Sequence, residues 1–155
     1  MKITLAGEPV LALSGSLFSL SFFVSYLYGN YITAGVNFAL AVTSIGYHIF
    51  NNTASYIIDQ IALYCVLLRS FVDGYNAGLY GLVIVIVINT YNYIVYFSPY
   101  SKYLEFHPNK TIGTFFHSTL HIFAVIGVIA QQYFIRMLST NRNEIIQDQG
   151  DNHQD

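Results

Sequence analysis

Three histidines and one aspartate interrupt the long apolar runs of this chain: His48, Asp59, His117 and His121. An ionisable side chain inside such a run is expensive to bury and reads by default as functional. His117 and His121 stand at i and i+4, so a helix presents them on one face. Ser44 and His48 have the same relation, and Asn37, Ser44 and His48 follow i, i+7, i+11 as one polar stripe. Three imidazoles from two helices, with a fourth position left for water, make the open ligand set of a catalytic zinc site. Neutral imidazole suits Zn2+ well. Asp59 then fits as a base or an orienting group beside that metal. His107 and His153 fall in a loop and in the tail, where a solvated histidine is the plain reading.

These residues need helices that cross a membrane. The 155 residues are 54% apolar, 17% aromatic and only 9% charged, with a mean hydropathy of +0.48. Soluble domains carry about 25% charged residues, so this chain lacks the polar surface to cover a core in water. That excludes a cytosolic globular domain and a disordered chain. A net charge of −2 with six Lys plus Arg excludes nucleic-acid binding. The single Cys excludes a disulfide framework and a thiolate zinc site.

Crossing hydrocarbon takes about 20 apolar residues, and five stretches qualify: 10–28, 31–50, 55–72, 75–97 and 111–138. Gly29-Asn30, Asn51-Asn52-Thr53 and Asp73-Gly74 are turn signals between the first four. Pro99, Lys102, Glu105 and Pro108 mark a polar loop before the last. The expected fold is an all-α polytopic transmembrane helix bundle of about five spans, an integral multi-pass membrane protein. Residues 1–138 form the membrane domain, and 139–155 a disordered polar tail. The first run follows Lys2, Glu8 and Pro9 and ends without a small-x-small cleavage site, so it reads as a retained helix. Lys2, Lys102 and Lys110 oppose Arg69, Arg136 and Arg142, a tie that leaves the orientation open.

His48 and Asp59 are equally far from the centre of the turn between Asn51 and Ser55. An antiparallel hairpin therefore sets them at nearly the same depth. His117 and His121 lie about 9 and 15 Å along the last helix at 1.5 Å per residue. Both connections involved lie on the N-terminal side, so all four ionisable groups belong to one layer near one face. Taken alone, each element has a plainer reading. The histidine pair can serve packing or interhelical hydrogen bonding, and Ser44 can bond the carbonyl four residues back. Asn37, Asn89 and Asn92 are either interhelical glue or cavity lining, and Cys65 is expected as an inert core residue. Asp59 pairing with Arg69 is disfavoured, because ten helical residues span about 15 Å. The conjunction of elements carries the argument.

The ordered set Ser44-x-x-x-His48, Asp59 eleven residues later, and His117-x-x-x-His121 resembles the membrane hydrolase superfamily of alkaline ceramidases and adiponectin receptors. The stretches S-I-G-Y-H-I-F-N-N-T-A-S-Y-I-I-D and H-S-T-L-H-I-F-A-V-I-G look most like the alkaline ceramidase branch. The resemblance covers roughly residues 37–127. It implies Zn2+ held by His48, His117 and His121, with Asp59 activating or orienting the water. It also implies that Ser44 helps to hold the site and stabilise the transition state. The family has seven helices where five are counted here. The acidic, tryptophan-containing N-terminal segment that binds calcium in ceramidases has no counterpart. Gln60 stands where ceramidases carry an acidic residue, and Leu120 replaces an aromatic. A shortened bundle implies a thinner lipid cavity, which a homo-oligomer would complete.

The leading expectation is an intramembrane zinc hydrolase of a lipid amide, ceramide-like by resemblance, with a membrane lipid as substrate. One rival is a b-type haem electron-transfer protein ligated by His48 and either His117 or His121. It leaves Asp59, Ser44 and one histidine unexplained. The other is a non-catalytic scaffold or receptor with a structural polar layer.

Overall fold

The computed structural model describes the backbone of residues 9–151 and the side chains of residues 9–141. The described residues form helices α1 (Pro9–Ser16), α2 (Phe18–Leu27), α3 (Tyr31–Phe50), α4 (Thr53–Asn76), α5 (Gly78–Asn92) and α6 (Lys110–Asp151), with no strand among them. A π-helical turn, Tyr93–Phe97, prolongs α5, and a 3-10 turn, Ser101–Tyr103, lies in the loop before α6. Among the described residues five segments are long and apolar enough to cross a membrane: Pro9–Leu27, Tyr31–Phe50, Thr53–Asn76, Gly78–Phe97 and Lys110–Asn141. The expected all-α bundle of five spans is therefore the fold, and it fits a multi-pass membrane protein.

Local chemistry explains the breaks. α1 and α2 form one span with a tightened turn, where Leu17 N–H donates to Ser14 O at 3.1 Å and Leu20 N–H to Leu17 O at 2.9 Å. After α3, Asn51 takes the left-handed conformation (φ 44°), which asparagine tolerates better than most residues. Asn52 then caps α4: its side chain accepts from Ser55 N–H at 2.9 Å, and its own N–H donates to Ser55 Oγ at 3.3 Å. Two asparagines and a serine thus fix the hairpin that sets the depth of His48.

The third turn lies elsewhere than Asp73-Gly74. Both residues are inside α4, and the chain reverses at Ala77 and Gly78, where φ is +68°. Asp73 is held in the helix by an ion pair with Arg69, one turn earlier, at 2.8 Å. Gly74 serves packing: a Cβ there would run into the Val85 side chain of α5. Two further expectations change. α6 continues as helix to Asp151, past the point at 139 where the tail is expected to lose order, and the sequence holds no Gly or Pro between Leu138 and Gly150 to stop it. Residues 152–155 lie outside the described residues. Cys65 is exposed on the outer surface and not in the core.

α3 packs against α1, α2 and α4, α4 against α5, α5 against α6, and α6 returns to α1 and α2. Phe18, Leu40, Ala41, Ala62, Val66 and Val125 form the core cluster inside this ring. Leu13, Leu68, Tyr75 and Leu79 project outward, the distribution that a hydrocarbon solvent permits.

Polar residues inside the ring gather at two ends. At the start of α3, Asp73 Oδ1 accepts from Arg69 at 2.8 Å and Asn30 Nδ2 at 3.2 Å; Oδ2 accepts from Thr33 Oγ1 at 2.6 Å and Gln132 Nε2 at 2.9 Å. Arg69 Nε also donates to Thr33 Oγ1 at 2.8 Å. The histidines lie at the other end of α3, about 27 Å away at 1.5 Å per residue. Arg69→Ala would leave the Asp73 carboxylate buried without its counter-ion, a loss of about 3–5 kcal/mol. Unfolding followed by circular dichroism in detergent should show that loss. A wild-type midpoint would mean that the pair contributes nothing to the fold.

Candidate metal centre

His48 is carried by the last turn of α3, and His117 and His121 by the third and fourth turns of α6. The structure brings these three together. One ring nitrogen from each lies within 4.8 Å of the others. Ring centroids are 4.9 Å apart for His48 and His117, 4.8 Å for His117 and His121, and 5.7 Å for His48 and His121. The first two pairs meet nearly edge to face, at 83° and 88°. His48 and His121 are buried, with Phe18 edge-on to His121 at 5.4 Å.

Two oxygens outside the predicted set hold these rings. Ser14 Oγ lies 3.0 Å from Leu11 O and forms a 2.9 Å hydrogen bond with His121 Nδ1. Glu105 Oε1 lies 2.5 Å from His117 Nδ1, where a carboxylate accepts the ring proton. Neither Ser14 nor Glu105 follows a spacing rule with its histidine, and no local signal marks them.

Asp59, Ser44, His117 and His121 all line one cavity of about 330 Å³. Its other walls are mostly apolar, with Phe18, Leu40, Leu63, Leu67 and Leu120 among them. Asp59 is buried and accepts from Thr43 Oγ1 at 3.2 Å. Ser44 does not bond the carbonyl four residues back. Its Oγ is buried without a hydrogen-bond partner among the described residues. Gly15 makes that position possible, since a Cβ there would stand 2.6 Å from Ser44 Oγ. Of the three asparagines, Asn92 lines this cavity, Asn89 a smaller one, and Asn37 bonds Thr33 O of its own helix at 2.8 Å.

A second cavity, of about 290 Å³, lies on the loop side and is lined by polar residues including His48, Asn51, His107 and Lys110. Tyr47, Glu105 and His117 line both cavities. The histidine cluster thus sits where a polar space meets an apolar one.

The donor set fits a metal ion. It comprises three imidazoles, two of them with Nδ1 hydrogen-bonded to side-chain oxygens, beside a buried carboxylate and a serine hydroxyl with no partner among the described residues. No family model, curated protein or solved structure matches the chain.

His48→Ala, His117→Ala and His121→Ala should each remove bound metal, because two imidazoles cannot close such a site. Elemental analysis of purified protein reads this directly, and full occupancy in all three variants would refute the ligand assignment. Affinity should also fall on acidification, because protonation of an imidazole competes with the metal for the same lone pair.

Proposed function

We propose that this protein is an intramembrane zinc-dependent hydrolase of a lipid amide, of the alkaline ceramidase kind that its Ser-His-Asp-His-His motif resembles. The observation that carries this reading is the position of the three histidines at the junction of a polar and an apolar cavity. An amphiphile has that division: its acyl chain suits the apolar space, its polar end the other, and its scissile carbonyl the boundary between them. Three neutral imidazoles with an open fourth position suit Zn2+.

His48, His117 and His121 would hold the ion, which when bound supplies Lewis acidity toward the substrate carbonyl and acidifies water. The remaining chemistry belongs to the chain. Asp59 takes a proton from the attacking water and returns it to the leaving amine, so that one carboxylate serves both halves of the reaction. Ser44 Oγ, which has no hydrogen-bond partner among the described residues, donates to the oxygen that gains charge in the transition state. The apolar walls exclude bulk water from the acyl side. The haem reading is less well supported, because a macrocycle between any two of these imidazoles would overlap the third.

Asp59→Asn separates metal holding from proton transfer. The amide is nearly isosteric and still accepts from Thr43, so the fold and the three ligands remain. An amide cannot take the proton, and general-base help is worth about 10²–10⁴-fold. Turnover of a fluorescent ceramide analogue should fall by that factor while metal content stays near wild type. Undiminished turnover would remove Asp59 from the mechanism. A parallel loss of metal would make it a ligand.

A further inference from the structure

We infer that Glu105 is a positioning residue of the metal centre, holding His117 in the tautomer and ring orientation that a metal requires. This rests on the metal-site reading above and is independent of the reaction assigned to it. Glu105 belongs to the loop between the fourth and fifth spans, which the sequence offers only as a polar connection. Its side chain is 9% exposed, and Oε1 accepts from His117 Nδ1 at 2.5 Å. An imidazole whose Nδ1 proton is committed to a fixed acceptor presents its Nε2 lone pair. Carboxylate partners of ligating histidines fix the ring and raise its basicity in this way.

The backbone is built to deliver that carboxylate. Gly113 stands one helical turn before His117, and a Cβ there would lie 2.7 Å from the Glu105 carbonyl oxygen. Glycine lets the loop lie directly on α6, beside the ring it holds. The loop is braced on both sides of Glu105: Leu104 N–H and Phe106 N–H donate to Ser101 O at 3.0 and 2.9 Å, and Asn109 N–H donates to His107 Nδ1 at 2.9 Å. A loop that only joined two spans would leave its acid in water, where glutamate is usually found.

The second carboxylate oxygen gives an independent indication. Glu105 Oε2 is buried with no hydrogen-bond partner among the described residues. A buried carboxylate oxygen in that condition is tolerable beside positive charge, and the histidine cluster it adjoins is where a metal cation would supply it.

The test is metal affinity, measured by competition between zinc and a chromophoric chelator for wild type, Glu105→Ala and Glu105→Gln in detergent. Glu105→Ala should bind zinc about 10–100-fold more weakly. Glu105→Gln, which keeps an acceptor oxygen, should fall between it and wild type. The metal-free unfolding temperature should be the same in all three. The inference is overturned if the alanine variant binds within twofold of wild type, or if glutamine is as weak as alanine. It is also overturned if the loss of affinity comes with a matching fall in metal-free unfolding temperature, which would make Glu105 part of the scaffold. Wild-type protein that binds no zinc would instead defeat the metal-site reading itself.

Discussion

Hydrocarbon cannot solvate a charge, so each ionisable group inside this bundle must find its partner within the chain. Asp73 shows how completely that can be met. Both carboxylate oxygens are occupied, by donors from the start of α3, from α4 and from α6. The three helices are thereby tied at one end of the bundle. Helices are stiff, so fixing them there limits where their opposite ends can go, and the opposite end of α3 carries His48.

The histidine layer has a different character. Its rings find partners, in Ser14, Glu105 and one another, but the surrounding oxygens are not fully used. Ser44 Oγ and Glu105 Oε2 are buried and idle among the described residues. A polar network with every group satisfied has finished its work in holding the fold. One with buried groups left over has capacity for a ligand, and the groups left over here adjoin three histidines that could hold a metal ion.

The two elements nearest the histidine layer that look least important in the sequence prove structurally close to it. α1 supplies Ser14 and, through Gly15, the close backbone approach to Ser44. The loop before α6 supplies Glu105 and, through Gly113, lies on the helix that carries two of the three imidazoles. In both places a glycine removes the Cβ that would hold the backbones apart.

The five spans, the Asn51-Asn52 hairpin, and the pairing of His117 with His121 on one face are legible in the sequence. Each is set by local rules: the thickness of hydrocarbon, the capping chemistry of asparagine, and 3.6 residues per turn. Hairpin symmetry adds the expectation that His48 and Asp59 share a depth. The remainder needed the folded chain. Ser14 is 107 residues from the ring it meets, and Glu105, only 12 residues from its own, reaches it through a loop without periodicity. Asp73-Gly74 reads locally as a turn, yet an ion pair and the approach of α5 keep it helical. Periodicity records which face a helix turns inward. Which side chain waits there is decided by packing between helices, and no single segment carries that information.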